Sequence, residues 1–256
     1  MKTQQKLAVL GTALVMAMTA TALAAEEQDS DPWRFGVTVP LWAPAINGNV
    51  TLRGITKDVS ISFNDLRNHL DASFSLAVEA RKEQFGFFGD VGYMKFDSEG
   101  GTDWTLKMCI ADAGALVRIM KVGETRPFIL EATGGLRYWW VDSDMTIHGP
   151  DGSPLFSANP TYELYDPMLG LRGSQYLTPK FHIDFGADVG GFGISANQAK
   201  LDWSATGVGT YDLFKWLSLS AGYKALGIDI HNGFGDQKKG VNLTMHGFLL
   251  AAKLKF

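Results

Sequence analysis

Apolar and polar residues alternate with a period of two along most of the chain after residue 32. In 180–191, for example, Phe181 and Ile183 fall on one face, and His182 and Asp184 fall on the other. Such alternation predicts β-strands with one apolar and one polar face. The predicted strands are 33–41, 72–82, 85–96, 104–119, 126–141, 162–176, 180–191, 201–212, 216–229 and 243–256.

The connections between these strands alternate in length. The tight turns are 81–84, 121–126, 177–180 and 213–215, and the longer polar connections are 42–71, 97–103, 142–161, 192–200 and 230–242. Short periplasmic turns and longer extracellular loops are typical of outer-membrane barrels. The pattern therefore predicts an all-β fold, a single up-and-down antiparallel transmembrane β-barrel. We expect about ten strands, with eight to twelve left open, and both termini in the periplasm.

The last strand has one wholly apolar face, which includes Phe248, Leu250 and Phe256. A final strand has no further core to meet, so this face is expected to meet lipid. The ending resembles the closing strand of Gram-negative outer-membrane β-barrels. In those proteins the terminal aromatic residue, here Phe256, is the signal read by the barrel-insertion machinery. The expected partners are that machinery during assembly and the lipid of the outer membrane, and the oligomeric state is left open.

Charged side chains within the strands are expected to face the lumen, because Arg or Lys on the lipid face at mid-membrane costs about 2–4 kcal/mol. The predicted lumen charges are Arg34, Glu79, Arg81, Asp90, Asp112, Arg118, Glu131, Arg137, Asp166, Arg172, Asp184, Asp188, Asp202 and Lys224. Both signs are present, so the charges can pair and fill a narrow barrel. The first hypothesis is an occluded lumen with a structural or surface-interaction role. The alternative is a narrow porin-like channel for ions or small solutes.

Tryptophan residues cluster at the ends of the predicted strands. Amphipathic rings collect at the two lipid–water boundaries of a membrane protein. The sequence therefore predicts an aromatic girdle of Trp33, Trp42, Trp104, Trp139, Trp140, Trp203 and Trp216.

The first residues predict an exported protein. Lys2 and Lys6 precede an uncharged apolar run, and Ala22-Leu23-Ala24 is a small-x-small cleavage site. We expect a cleaved signal peptide at 1–24, a short periplasmic segment at 25–32 and the barrel at 33–256, in the outer membrane of a Gram-negative bacterium. No later stretch has the roughly 18 apolar residues of a membrane-spanning helix.

Composition limits the possible partners and cofactors. The 256 residues include 29 Gly and 16 Phe with a formal net charge of −4, and removal of Lys2 and Lys6 lowers this to about −6. Without a basic block, nucleic acid is not an expected partner. Cys109 is the single cysteine, so no internal disulfide is possible, and no two of the five His have metal-ligand spacing. We expect no cofactor and no metal.

An enzyme is the remote alternative. Outer-membrane proteases resemble ten-stranded barrels with an acidic pair and an Asp–His couple at the extracellular rim. Here Asp229 with His231, and Asp142 with Asp144, are the residues that a rim-sited hydrolase could use. A lipid-modifying enzyme would need a base beside a nucleophile, and His246 with Thr244 is the closest pair in the sequence. We expect no enzyme activity.

The first long connection contains a short amphipathic turn, with Phe63, Leu66 and Leu70 at helical spacing. A surface loop is favoured, and entry of 42–71 into the barrel is left open. Several segments resemble a family of uncharacterised bacterial outer-membrane barrel proteins, which implies a barrel but no activity. The matching segments are 33–38, 41–44, 62–66, 76–81, 222–226 and 243–256.

Overall fold

The computed structural model describes residues 32–52, 55–98, 102–148, 153–158, 161–195, 197–232 and 239–256. These residues form twelve strands in one antiparallel sheet and one short helix, α1, at Phe63–His69. The strands are β1 (Arg34–Leu52), β2 (Ile55–Ile61), β3 (Leu70–Lys82), β4 (Phe85–Ser98), β5 (Thr102–Val122), β6 (Phe128–His148), β7 (Pro154–Ala158), β8 (Thr161–Tyr176), β9 (Phe181–Gly191), β10 (Leu201–Phe214), β11 (Leu217–Asn232) and β12 (Lys239–Lys255).

The sheet closes on itself because β12 pairs with β11 on one side and with β1 on the other. The β1–β12 register runs from Gly36↔Lys255 to Thr51↔Gly240. The closed ring is β1, β3, β4, β5, β6, β8, β9, β10, β11 and β12, while β2 pairs with β1 and β7 with β6. The predicted ten-strand up-and-down barrel is confirmed.

Large apolar side chains cover the outside of the wall. Leu41, Leu136, Leu169, Phe248 and Leu250 are each more than half exposed. Their chain neighbours point inward, so the apolar faces lie outside, as lipid contact requires. The end of the barrel with the tight turns, where β1 begins and β12 ends, is called the periplasmic end below, following the topology of outer-membrane barrels.

Strand β1 is longer than the predicted strand 33–41 because it continues through two prolines, Pro40 and Pro44. Phe35 N donates to Phe256 O at 3.1 Å and Phe256 N donates to Phe35 O at 2.9 Å. Odd-numbered residues of β1 therefore direct their backbone groups toward β12, and even-numbered residues direct theirs toward β3. Both prolines lack an N–H, so they remove donors only from the edge that faces β3.

The ladder between β1 and β3 is correspondingly short. It ends at Thr38↔Ala77, and β1 then pairs with β2 from Ile46↔Ile61 onward. Among the described residues, 39–45 have no strand partner on this side. The two prolines therefore lie in a gap in the ladder between β1 and β3, where residues 39–45 face residues 70–76.

Helix α1 lies in the chain between β2 and β3, next to this gap. Ser62 caps it: Asp65 N donates to Ser62 Oγ and Ser62 N donates to Asp65 Oδ2, each at 3.2 Å. This reciprocal capping box stabilises the first turn. Leu66 is only 4% exposed and packs in the interior, so the first long connection does contribute to the barrel interior and is not the surface loop that was favoured. No helix among the described residues is long and apolar enough to cross a membrane.

Candidate functional site in the barrel interior

A buried arginine stands at the centre of the interior. Arg137 on β6 is 2% exposed, and its Nε and Nη2 donate to the two carboxylate oxygens of Asp112 on β5, each at 2.8 Å. Its Nη2 lies 3.0 Å from Asp188 Oδ1 on β9, and its Nη1 donates to Asp202 Oδ1 on β10 at 3.3 Å. Since β6 is adjacent to neither β9 nor β10, these contacts cross the interior of the barrel.

The carboxylates around Arg137 are held by further donors. Asp202 also accepts from the indole Nε1 of Trp139 at 3.4 Å. Asp166 on β8 accepts from the backbone N of Ala199 at 2.8 Å. Asp166, Asp202 and Ala199 are fully buried, so the connection between β9 and β10 closes over this part of the interior.

An apolar layer occupies the interior on the loop side of the arginine. It includes Trp139, Phe96 and Leu226, all 2% exposed, and Leu66 of α1 packs into the same cluster. The other buried members are Ile46, Met94, Met108, Leu164, Ala199, Ile228 and Met245. Buried apolar side chains pack as densely as an organic crystal, so these residues form a packed apolar cluster at this level of the interior.

On the periplasmic side of the arginine the interior opens into two cavities. A cavity of about 220 Å³ is lined by Asp90, Asp112, Asp188 and Lys224, among others. The Lys224 Nζ lies 5.4 Å from the centre of the Trp42 ring, a cation–π contact that links this cavity to the apolar layer.

The larger cavity, of about 620 Å³, opens at the periplasmic end. Arg81 bridges two carboxylates there: its Nη2 donates to Glu131 Oε2 at 2.9 Å and to Glu79 Oε2 at 3.2 Å. Lys253 on β12 approaches Glu79 at 3.4 Å. Arg172 and Asp184 line both cavities, so the polar interior is continuous from the periplasmic mouth to the Arg137 cluster.

Asp184 and Asp212 organise the wall of the larger cavity. Thr210 Oγ1 donates to Asp184 Oδ2 at 2.6 Å, and Ser174 Oγ donates to Asp184 Oδ1 at 2.5 Å. Asp212 accepts from Lys255 Nζ at 2.7 Å and from Ser218 Oγ at 2.6 Å. These bonds join β8, β9, β10, β11 and β12, so they stabilise strand pairing at the mouth.

The predicted lumen charges line the two cavities or are buried at the Arg137 cluster, with Arg34 exposed at the periplasmic mouth. The larger cavity is lined by Arg34, Glu79, Arg81, Arg118, Glu131, Arg172 and Asp184. The smaller cavity is lined by Asp90, Asp112, Arg172, Asp184, Asp188 and Lys224. Arg137, Asp166 and Asp202 are buried at the cluster described above.

The predicted aromatic girdle is wrong for two tryptophans. Trp139 is 2% exposed within the apolar layer, and Trp42 packs against that layer. Each stands at an inward position of its strand, since Trp139 shares a face with Arg137, and Trp42 shares one with Gly36. Period-two alternation determines whether a side chain faces the lipid or the lumen, and closeness to a strand end does not.

The other predicted girdle residues are placed differently. Trp33 and Trp216 are 44% and 55% exposed at the periplasmic end. Trp140 and Trp203 are half-buried on outward positions. The side chain of Trp104 lies outside the described side chains.

Phe256, the predicted insertion signal, is 73% exposed. Its backbone pairs with Phe35, which places the last residue within the closing seam of the barrel. Whether it is read during insertion stays a prediction.

The residues considered for a hydrolase do not converge. Asp142 stands at an outward position of β6 and contacts Lys107 at 3.3 Å. Asp229 on β11 alternates with buried Ile228 and therefore also points outward. Strands β8, β9 and β10 separate β6 from β11, and the side chain of His231 lies outside the described side chains.

His246, the other candidate base, bonds to different residues than expected. Its ring nitrogens contact Asn47 and Tyr223, and no bond to Thr244 is found among the described residues. Nor does the described part of the chain contain a cluster of three or more His, Cys, Asp or Glu that could hold a metal ion.

The apolar layer was missed by the sequence reasoning. Met94 and Met108 stand on the loop side of the inward carboxylates Asp90 and Asp112 of the same strands, and Met245 stands on the loop side of the inward Lys253. Following each inward face to its loop end would have detected this change from charged to apolar residues. The helical spacing of Leu66 with Phe63 predicted a short amphipathic helix, but this spacing does not determine where α1 packs.

Solved structures provide the comparison for this fold. No protein-family model matches the chain, and no curated protein sequence matches it. The outer membrane protease OmpT from Escherichia coli is similar at a TM-score of 0.56 and 9% identity, over 91% of this chain and 99% of that one. The translocator domain of autotransporter NalP from Neisseria meningitidis has a TM-score of 0.44 and 14% identity, covering 99% of this chain and 97% of that one.

A further neighbour is Ail, the attachment invasion locus protein of Yersinia pestis, with a TM-score of 0.37 and 12% identity over 87% of this chain and 98% of that one. At such identities the likeness to OmpT concerns the fold alone. The chain has the closed β-barrel fold of Gram-negative outer-membrane proteins.

Proposed function

We propose that the protein is an integral outer-membrane barrel whose lumen is closed, with a structural or surface-interaction role. The observation that carries this proposal is the stacking of two layers across the interior. Arg137 joins carboxylates of β5, β9 and β10, and the apolar layer with Leu66 of α1 lies on its loop side.

The two layers oppose transport by different means. In the Arg137 layer the buried guanidinium is held in bidentate geometry by Asp112 and also contacts Asp188 and Asp202, so a passing ion would have to displace these contacts. The apolar layer offers no hydrogen bonds to replace the hydration shell of an ion or polar solute. An ion that reached Arg137 from the periplasm would still have to cross the apolar layer.

A narrow channel is the second candidate, and one observation favours it. The two cavities share Arg172 and Asp184, so a polar path already extends from the periplasmic mouth to the Arg137 cluster. Conduction would require the apolar layer to be displaced. Among the described residues, α1 is the one helix that contributes a side chain, Leu66, to this layer. The channel hypothesis therefore requires α1 to move out of the lumen.

An enzymatic role is not proposed. The likeness to the protease OmpT concerns the fold. Asp142 stands at an outward position of β6 and Asp229 at one of β11, with β8, β9 and β10 between them, and the ring nitrogens of His246 contact Asn47 and Tyr223.

Single-barrel conductance across planar bilayers tests the proposal. Full-length protein is refolded, and folding is checked by the faster migration of the unheated sample on gels. We expect no discrete current steps from the folded wild-type protein. Leu66→Asp, which puts a charge into the apolar layer, should produce steps, whereas Asn68→Asp on the exposed side of the same helix should stay silent.

Two outcomes would contradict the proposal, the first its closed lumen and the second its assignment of the barrier to the apolar layer. Discrete steps from folded wild-type protein would establish a channel, and a change in their ion selectivity on Asp90→Asn would place the path along the smaller cavity. Silence of Leu66→Asp in a folded barrel would show that α1 and its layer do not form the barrier.

A further inference from the structure

Four polar side chains form a hydrogen-bonded chain on the outer face of the wall. Ser60 Oγ donates to Asn47 Oδ1 at 3.1 Å, and Asn47 Nδ2 lies 2.9 Å from His246 Nε2. His246 Nδ1 lies 2.6 Å from the Tyr223 hydroxyl. The residues come from β2, β1, β12 and β11, so this polar chain runs across the seam where the barrel closes.

The face on which these residues lie follows from alternation. His246 follows Met245 and Asn47 follows Ile46, and both of these neighbours are buried in the interior layer. Tyr223 is 43% exposed and Phe248, its cross-strand partner, is 75% exposed. The polar chain therefore points away from the lumen.

Its height places it at the outer boundary of the membrane. His246 stands ten residues before Phe256, and strands that rise about 3.3 Å per residue at a tilt of about 40° bring it about 25 Å from the periplasmic end. That height matches the roughly 25 Å apolar band of outer-membrane barrels. At this level acyl chains meet their linking carbonyls and head groups.

We infer the tautomer of His246 from the placement of the Asn47 amide. The Asn47 amide nitrogen can only donate, so His246 Nε2 must accept. A neutral imidazole carries one N–H, so Nδ1 carries it and donates to the Tyr223 oxygen. The hydroxyl hydrogen of Tyr223 is then left to donate outward, and no acceptor for it is found among the described residues.

The outward side chains next to Tyr223 form an apolar surface on its periplasmic side. On β1, Ala43 pairs with Phe248 of β12 and Ala45 pairs with His246. The small side chains of the two alanines leave a shallow depression in the outer surface. Leu41 and Leu250, 68% and 56% exposed, continue the apolar surface toward the periplasmic end. An acyl chain that descends from the boundary would run along this surface.

We propose that Tyr223, Phe248 and the neighbouring alanines form a binding site for one acylated lipid of the outer leaflet. Tyr223 donates to a carbonyl oxygen of the acyl linkage, and the acyl chain lies on Phe248, Leu250 and Leu41. His246 and Asn47 are positioning residues that orient the tyrosine hydroxyl. A neutral donor at the end of a neutral chain suits a carbonyl acceptor, and this site does not depend on whether the lumen is closed.

The test compares two lipids that differ only in the proposed acceptor. Full-length protein is refolded in vesicles of equal parts ester-linked dioleoylphosphatidylcholine and its ether-linked analogue, which has no carbonyl. After transfer to detergent, native mass spectrometry counts the lipids retained on each barrel. We expect wild-type protein to retain the ester lipid over the ether lipid about two- to tenfold, the range of one hydrogen bond.

Tyr223→Phe should abolish this preference while the barrel still folds, and His246→Phe should weaken it. Tyr211→Phe is the matched control, since Tyr211 is an outward tyrosine of similar exposure, 46%, on β10. The proposal is overturned if wild-type protein shows no preference, if Tyr211→Phe removes it equally, or if Tyr223→Phe instead removes a dimer of this chain.

A spectroscopic measurement tests the positioning role separately. Nitrogen-15 chemical shifts of the His246 ring in vesicles should show a proton on Nδ1 and none on Nε2. Asn47→Ala removes the donor to Nε2 and should shift the ring toward a mixture of tautomers. A proton on Nε2 in the wild-type protein would overturn the assigned direction, and with it the outward donor.

Discussion

Arg137 and Asp112 are cross-strand neighbours on β6 and β5, and two parallel hydrogen bonds of 2.8 Å join the guanidinium to both carboxylate oxygens. Arg137 also forms salt bridges with Asp188 and Asp202. One cation thus compensates several carboxylates in a place where water is scarce. The stability of the middle of the barrel is expected to depend on it.

Replacement of Arg137 by methionine tests this dependence. Arg137→Met leaves Asp112, Asp188 and Asp202 without their shared partner, and loss of one member of a buried pair costs about 3–5 kcal/mol. We expect that decrease in the free energy of unfolding, measured by urea titration in phosphatidylcholine vesicles with tryptophan fluorescence. Arg126→Met, at an exposed turn position, should change it by less than about 0.5 kcal/mol. Equal midpoints for the two variants would contradict the role of the cluster.

Much of the barrel could be predicted from alternation alone. The inward position of Glu131 and Arg137 follows from their place between outward Leu130, Leu136 and Tyr138, because the period of two is fixed by strand geometry. The ion pairs could not be predicted, since Arg137 and Asp202 are 65 residues apart. Their meeting depends on the stagger of the strands around the ring, which no local pattern encodes.

The errors have identifiable causes. Trp139 and Trp140 are adjacent, so only one can face lipid, and the girdle prediction ignored that constraint. The first strand was predicted to end at residue 41 because 42–71 is a long polar connection rich in turn-forming residues. In β1 the missing donors face the gap, and the β12 side keeps its full register.

Gly190 allows the close approach of β9 to Asp202. A Cβ at this position would lie 2.6 Å from Asp202 Oδ1 and 2.8 Å from Pro167 O. Gly190→Ala should therefore lower the free energy of unfolding by about 1–3 kcal/mol through overpacking. Gly207→Ala is the matched control, since a Cβ there meets nothing within 4 Å, and it should be neutral or stabilise by up to about 1 kcal/mol. The same urea titration measures both, and equal effects would show that the contact with Asp202 is not limiting.

The capping box of α1 predicts a pH dependence. Hydrogen bonds from Ser62 favour the ionised carboxylate and hold the pKa of Asp65 below its ordinary value. Because this pKa is lower in the folded helix, the stabilisation is present above the ordinary value of about 4 and is lost as the pH falls through the folded pKa.

Hydrogen exchange of the α1 amides, corrected for the intrinsic rate at each pH, should show protection decreasing below about pH 4. Asp65→Asn should remove this pH step. Ser62→Ala should lower protection at all pH values because the Oγ acceptor for Asp65 N is lost. An unchanged step in Asp65→Asn would assign the titration to another group.

The gap between β1 and β3 predicts which cysteine pairs can be cross-linked. Val37 and Val78 are cross-strand partners, and since Val37 directs its N–H toward β12 they form a non-hydrogen-bonded pair with Cα atoms about 4.5 Å apart. In a Cys109→Ser background, Val37→Cys with Val78→Cys should form a disulfide on oxidation, seen on non-reducing gels. Leu41→Cys with Phe74→Cys, opposite each other only if the same register continued, should not.

The prolines are the proposed cause of the gap, and a second variant separates cause from coincidence. Pro40→Val with Pro44→Val restores two donors on the edge facing β3, and the ladder can then extend beyond Thr38. The Leu41→Cys and Phe74→Cys pair should become cross-linkable in that background. If it stays unlinked, α1 and not the missing donors separates the strands. If the pair becomes cross-linked while both prolines are present, the gap closes in the membrane and the ladder between β1 and β3 is continuous.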